Sequence, residues 1–445
     1  MDVERLSCNN LHLLDGSQSL LVDEDIVKIT LNGDTAGYGI ITFNNAGHRA
    51  ASEPVKVQQP LLTKIPVPAT PSVVPFCLQL SNPLCRRSEL TGGKASKLAD
   101  IVAAASKVDS NLTNFDDEME IPSGFAVSVA AYNRHIEQNP QIKQLIDQVV
   151  QLARKHHQNQ PTDELDRVVK QLHDAFVNTE ISSELKSQIE QNMKIAFGNA
   201  NWSSTYTAVR SSAVGEDGCE ASGAGQMDTI LGKQGLNNVI QALKQCWASH
   251  YGLRAVLYRR QLCAPLNAPM SVLVQKLINA KVAGVLFTRQ PDNGSTASMM
   301  INATYGIGEG VVSGTIQPDC IDVYRMLPGQ SKPLIVYKSL GEKSSAFRLD
   351  TSTGTVHETD NIAKQGECCL TTEQIEELHA IGLVMEHIFG AGADVEFALD
   401  TDGRFAILQA RPITTSDNEC QWELMHEFDT PLGSDNEFIT TANVQ

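Results

Sequence analysis

Between residues 139 and 197 apolar side chains recur every three or four positions: Ile142, Leu145, Ile146 and Val149, then Leu165, Val168, Val169, Leu172 and Phe176. That spacing predicts amphipathic helices, each burying one stripe and leaving a charged face in water. Elsewhere the period drops to two. Residues 10–53 alternate in short runs (SLLVDEDIVKITLNG, YGIITF) broken by Asp-Gly and Asn-Gly pairs, which predicts a small β-rich segment. The stretch VLVQKLINAKVAGVLFTRQPDNG (272–294) holds two apolar runs separated by polar residues and reads as two core strands. Thr371 and Gln374 have capping-box spacing, so a helix is expected from there to about Gly390.

The stretch DVEFALDTDGRFAILQARPITT (394–415) follows that helix and predicts a hairpin. Asp402-Gly403 suits a two-residue turn in which both central residues take positive φ. Thr401 would then pair with Arg404, Glu396 with Gln409 and Asp394 with Arg411. One face would carry Val395, Phe397 and Leu399 opposite Ala406, Leu408 and Ala410; the other would carry the four polar side chains. A carboxylate beside an amide oxygen, with a guanidinium one step along, offers oxygen ligands for a hard cation and a forked donor for a phosphate. Taken alone, the same pattern also describes a solvent-exposed polar face.

Composition narrows the field. The chain of 445 residues is long enough for two or three domains, and its net charge of −17 argues against nucleic acid or an anionic membrane as a partner held by general electrostatics. Ten cysteines show no CxxC pair, and the start MDVERLSCNN lacks the basic and apolar regions of a signal peptide. No apolar run approaches the roughly 20 residues that span a bilayer. A reduced, cytoplasmic protein is expected. The eleven histidines include no HExxH and no zinc-type spacing. Seven of the eighteen prolines fall between 54 and 83, a density that predicts an extended connector and a domain boundary.

Three further segments bear on chemistry. GGKASKLAD (92–100) is not a Walker loop, because Ser88 stands where the first glycine belongs and Ala95 follows the lysine, yet Lys94 at a helix start can reach an anion. VRSSAVGEDGCEASGAGQMDTILG (209–232) leads an arginine and two serines into a loop of small residues whose amides can approach phosphate oxygens. INATYGIGEGVVSG (301–314) is rich in glycine, which turns and bulges also require for their own sake.

In this order, GGKASKLAD with IPSGFAVSVAAY after it, VRSSAVGED…SGAGQMDT, VLVQKLINAKVAGVLFTRQP, YGIGEGVVSG and DVEFALDTDGRFAILQARPIT resemble the ATP-binding domain of the phosphoenolpyruvate synthase and pyruvate phosphate dikinase family. The likeness runs over roughly 86–415 and is closest in feel to rifampin phosphotransferase-like and animal phosphoenolpyruvate synthase-like members. It implies an α+β fold: a two-lobed ATP-grasp with a helical insertion, preceded by the small β-rich segment. The implied division is 1–53 for that segment, 54–85 for the connector, 86–275 for the N-terminal lobe with its insertion at 139–197, 276–415 for the C-terminal lobe, and 416–445 for the start of a linker to a phosphohistidine domain.

The resemblance also implies roles. Lys94 would contact ATP phosphates, Arg210 would clamp them at the catalytic end, and Thr229 would line the covering loop. Gln275 would sit by the adenine, Glu396 and Gln409 would hold Mg²⁺, and Arg411 would bind phosphate oxygens, so that Arg210 and Arg411 are the implied catalytic pair. The covering loop departs from the family's usual pattern in reading SGAGQ, and no histidine stands in the family's Ser-His-x-Ala setting. The nucleotide half-reaction of a dikinase-type phosphotransferase is therefore expected, with a phosphohistidine domain in cis or in trans; a non-catalytic ATP-binding module is the alternative.

Overall fold

A computed structural model describes residues 19–22, 25–28, 61–105, 119–155, 163–215, 229–261, 264–291, 294–325, 332–350, 354–360 and 366–413. Two compact units divide the chain. Of the first, comprising residues 1–59, 326–332 and 416–445, the structure describes little beyond an antiparallel hairpin of β1 (Ser19–Val22) and β2 (Asp25–Lys28). The remainder of the expected β-rich segment, the expected linker and the SGAGQ loop lie outside the described residues.

The second unit, Pro60–Arg325 with Pro333–Thr415, carries every other element. It begins with β3 (Cys77–Gln79), α1 (Ser88–Ala105), β4 (Met119–Glu120) and β5 (Gly124–Val127). Four helices follow: α2 (Val129–Gln138), α3 (Pro140–Lys155), α4 (Asp163–Asn178) and α5 (Ser183–Phe197). Next come β6 (Thr207–Ala213), β7 (Thr229–Lys233), α6 (Gly235–Ser249), α7 (Leu253–Gln261), β8 (Met270–Lys276), β9 (Val282–Phe287) and β10 (Ser298–Tyr305). The chain continues through α8 (Glu309–Val312), β11 (Asp319–Tyr324), β12 (Leu334–Ser339), β13 (Ser345–Asp350) and β14 (Thr355–Asp360). It closes with α9 (Thr372–Phe389), β15 (Ala393–Leu399) and β16 (Phe405–Pro412).

Two sheets organise this α+β unit, in keeping with the two-lobed expectation. A five-stranded sheet has the order β3-β5-β8-β6-β7, and a seven-stranded sheet has the order β12-β11-β10-β9-β15-β16-β4. One face of the smaller sheet, with Phe125, Val127, Val209, Val272 and Val274, packs on the helices through Tyr132, Phe176 and Trp247. The stripes read from the sequence are the ones that go inside: Ile142, Ile146 and Val149 of α3 and Leu165, Val168, Val169, Leu172 and Phe176 of α4 are buried. A second core joins Leu98 and Ile101 of α1, Ile375, Leu378 and Met385 of α9, and Val395, Phe397, Phe405 and Ile407 of the larger sheet. Both arms of the capping box form at Thr371 and Gln374, and α9 ends at Gly390 in the left-handed conformation.

The two core strands expected in 272–294 exist, but in different sheets: β8 lies in the smaller and β9 in the larger. Residues 277–281 therefore cross between sheets, with the Leu277 amide donating to Tyr206 and the Lys281 amide to Leu399. A second crossing, from β4 to β5, lies against the first, since the Lys276 amide donates to the Ser123 carbonyl at 2.9 Å.

The proline-rich stretch differs from expectation in its second half. Leu61, Leu78, Leu80 and Cys85 are buried in the core, and β3 pairs with β5. The prolines occupy positions that need no ladder donor: Pro83 starts a helical turn capped by the Asn82 side chain, and the Pro75 carbonyl accepts from the Ser128 hydroxyl. Apolar residues between the prolines supply the burial that the proline count concealed.

Candidate functional site

The hairpin of β15 and β16 sets the site. Glu396 faces Gln409 and Asp394 faces Arg411, as the sequence predicts. Nearer the turn the register differs by one: Phe397 faces Ile407, Ala398 faces Ala406 and Leu399 faces Phe405. The reason is turn chemistry. The Asp400 carboxylate accepts from the amides of Asp402 and Arg404, the Asp400 amide donates to the Arg404 carbonyl, and Gly403 takes φ +90°. Asp400, rather than Thr401, is thus opposite Arg404, and the loop is one residue longer than a two-residue turn. An extra residue in β16, Leu408, restores the register before the polar pairs. In consequence Phe405 and Ile407 enter the core, whereas Ala406 and Leu408 join a smaller apolar cluster with Ile278, Ala280, Ala283 and Ala398.

The bulge has a chemical use. Arg210 of β6 donates from Nη1 to the Leu408 carbonyl at 2.9 Å, and from Nη2 to Glu396 Oε2 at 2.6 Å and Gln409 Oε1 at 3.0 Å. One nitrogen thus lies between the two oxygens that the sequence nominates for a cation. Arg210 is 9% exposed, and among the described residues its buried Nε has no hydrogen-bond partner. Arg411 donates through Nε to Asp394 Oδ2 at 2.8 Å, with Nη2 at 2.8 Å from the same oxygen. Burial raises the Asp394 pKa against the opposing pull of Arg411.

The other nominated residues come from the smaller sheet and α1. Thr229 opens β7 directly opposite Arg210, so both side chains emerge on one face. Gln275 of β8 is 2% exposed and donates from Nε2 to the Pro122 carbonyl at 3.4 Å, so its amide holds the β4 to β5 crossing. Lys94 follows a break in α1 at Gly92, where φ is +70° and a Cβ would stand 1.9 Å from the Ser212 carbonyl oxygen. Only glycine permits that approach. Ser212, two residues beyond Arg210, accepts from the Ala95 amide at 3.1 Å and donates to the Thr91 carbonyl at 2.7 Å. These bonds fix the helix start carrying Lys94 on the strand that carries Arg210.

Sequence reasoning passed over Glu309. It begins α8 in the glycine-rich turn and lies within electrostatic reach of Arg210 and Glu396; burial raises its pKa, Arg210 opposes the rise and Glu396 adds to it. The signal was available, because Glu309 is the only ionisable residue between Gly306 and Gly314. Asn302 and Val285 extend the row of Glu396 and Gln409 across the larger sheet. Among the described residues no three His, Cys, Asp or Glu side chains are arranged to hold a metal ion, so Glu396 and Gln409 would bind one together with oxygens of a ligand or water.

Comparison with known proteins gives this geometry its context. The family model described as "Pyruvate phosphate dikinase, AMP/ATP-binding domain" matches residues 88–430. The chain belongs to that family. Among similar family proteins, rifampicin phosphotransferase of Bacillus subtilis is 32% identical over 327 residues, 73% of this chain and 34% of that protein. A probable phosphoenolpyruvate synthase of Methanocaldococcus jannaschii is 33% identical over 330 residues, 74% of this chain and 26% of that protein. The chain thus spans about a third or less of the length of these relatives. A solved structure of D-alanyl-alanine synthetase A from Vibrio cholerae matches 59% of this chain and 58% of that one at 12% identity, with a TM-score of 0.22. As a pyruvate phosphate dikinase-type AMP/ATP-binding domain, the protein has a family context for a cluster of this polarity. No described helix is long and apolar enough to cross a membrane.

Proposed function

We propose that the chain binds Mg·ATP against the Glu396, Gln409 and Arg411 face and carries the nucleotide half-reaction of a dikinase-type phosphotransferase. The β-phosphoryl group of ATP would reach a histidine on another domain, in cis or in trans: the histidine takes the pyrophosphoryl group as AMP leaves, water removes the terminal phosphate as inorganic phosphate, and the phosphoryl that remains passes to an acceptor such as pyruvate or a hydroxyl. The observation that carries this reading is the convergence of Glu396 Oε2 and Gln409 Oε1 on one cationic nitrogen of Arg210. A carboxylate and an amide oxygen fit a hard cation, and two protein ligands leave room for phosphate oxygens. Mg²⁺ bound there would neutralise charge on the transferring phosphates.

The chain's own residues supply the rest. Arg411, held by Asp394, presents a fixed fork to phosphate oxygens. Arg210 reaches the same oxygens from the facing sheet, and phosphate would replace the carboxylate as its partner. Lys94 stands at a helix start, where the helix dipole favours an anion. Thr229 would border the bound phosphates beside Arg210. We also assign residues 86–275 and 276–415 to the two lobes, in line with the change of sheet between β8 and β9.

The test is thermal unfolding with and without Mg·ATP, backed by calorimetry. Mg·ATP should raise Tm for the parent and fail to do so for Glu396→Ala and Arg411→Ala; an unresponsive parent overturns the reading. Mixing the chain with a phosphohistidine-domain fragment should give phosphohistidine and AMP. Release of ADP instead would point to acyl-phosphate ligase chemistry. The alternative reading, a non-catalytic ATP-binding module, predicts binding without phosphohistidine.

A further inference from the structure

Lys343 and Asp319 are each 0% exposed and form an ion pair, and Lys343 takes the left-handed conformation, φ +40°, that side chains other than glycine rarely adopt. Asp319, at the start of β11, binds three separate donors: the Lys343 ammonium, the Gly341 amide at 2.9 Å and the Cys369 amide at 2.8 Å. A hydrophobic pair of equal volume would serve burial as well or better. It would not direct two backbone amides from distant segments onto one point.

The segment held in this way runs along the glycine-rich turn. Gly341 lies so close to the carbonyls of Gln317 and Pro318 that a Cβ would stand 2.1 Å and 2.4 Å from their oxygens. Four residues after Lys343, the Phe347 carbonyl accepts from the Ile307 amide at 2.8 Å, and a Cβ on Gly306 would stand 2.3 Å from that oxygen. Gly308 packs on Ala283 of β9, and Glu309 follows. A chain of contacts therefore leads from the buried ion pair through residues 341–347 to the turn that carries Glu309, which lies within electrostatic reach of Arg210 and Glu396.

We propose that the Asp319 and Lys343 pair is a positioning element for the turn at 306–310, setting the approach of Glu309 to the Arg210 and Glu396 cluster. The inference rests on the nucleotide reading of that cluster. It assigns Lys343 no contact with substrate: its effect on binding passes through Glu309.

The experiment is a double-mutant cycle read as the dissociation constant for Mg·ATP by calorimetry on the full chain. Gly306→Ala leaves the ion pair intact while forcing the turn away from Phe347, so it keeps the test usable where Lys343→Met fails to fold. We expect Gly306→Ala to change the constant about tenfold and to lose most of that effect in a Glu309→Gln background. Lys343→Met, where folded, should show the same coupling to Glu309→Gln. Equal effects of Gly306→Ala in both backgrounds, or no effect of Glu309→Gln alone, would overturn the positioning role while leaving the nucleotide reading standing. A parent that binds no Mg·ATP overturns both, and that result is seen before any variant is made.

Discussion

Two cation–carboxylate pairs in this protein are built on opposite plans. Lys343 and Asp319 are sealed from water, and both Asp319 oxygens have fixed partners. Arg210 and Glu396 are also largely enclosed, yet Arg210 Nε has no hydrogen-bond partner among the described residues, Nη2 is shared between two oxygens, and the half-buried carboxylate of Glu309 lies within electrostatic reach. Saturated bonding makes the first arrangement costly to disturb, whereas the second can exchange partners when an anion and a cation arrive together. Burial alone does not separate the two pairs; the number of directions left open does.

Breaking each pair tests that contrast. Lys343→Met leaves an uncompensated buried carboxylate and should cost about 3–5 kcal/mol in urea unfolding. Arg210→Met should cost less, about 1–3 kcal/mol, because Glu396 and Gln409 keep some access to water. Its main effect should be loss of the Mg·ATP-induced rise in Tm. Comparable stability losses for the two variants would end the distinction.

Titration sharpens the comparison further. At Asp319, burial is outweighed by Lys343 and the two amides, and the folded pKa lies below the ordinary 3.8. Its stabilisation is present above that value and fades as pH falls through the depressed pKa. For Glu309 the folded pKa is raised from 4.5, so the native state favours the proton and stability declines as pH climbs from 4.5 through the raised value. Unfolding free energies over a pH series should therefore fall with acid for the parent relative to Asp319→Asn. They should fall with rising pH relative to Glu309→Gln, in each case by at most about 1.4 kcal/mol per pH unit. The smallest effect is expected at the hairpin tip. Gly403→Ala meets no neighbouring atom but keeps φ near +90°, so it should cost about 1 kcal/mol and leave Mg·ATP affinity unchanged.

The sequence made the Glu396 and Gln409 pair legible because two departures cancel. The loop holds one residue more than a two-residue turn, and the bulge at Leu408 takes up that residue before the polar pairs. Counting outward from Asp402-Gly403 gave the right partners at the site and the wrong ones beside the turn, where Ile407 and Phe405, not Leu408 and Ala406, face the core. Helix stripes and the capping box were readable since they depend on neighbours three or four residues apart. Nothing local announces that Asp319 will meet Lys343, or that Cys77 to Gln79 will join a sheet amid prolines. Those outcomes rest on contacts that form only when distant segments pack.

The side-by-side crossings at residues 121–123 and 277–281 have a mechanical consequence. Stitched by the Lys276 amide and by the Gln275 side chain, they form a narrow two-ply ribbon between the sheets. Weakening the stitch at Gln275 would therefore act on the joint between the sheets before it altered the strand order of either.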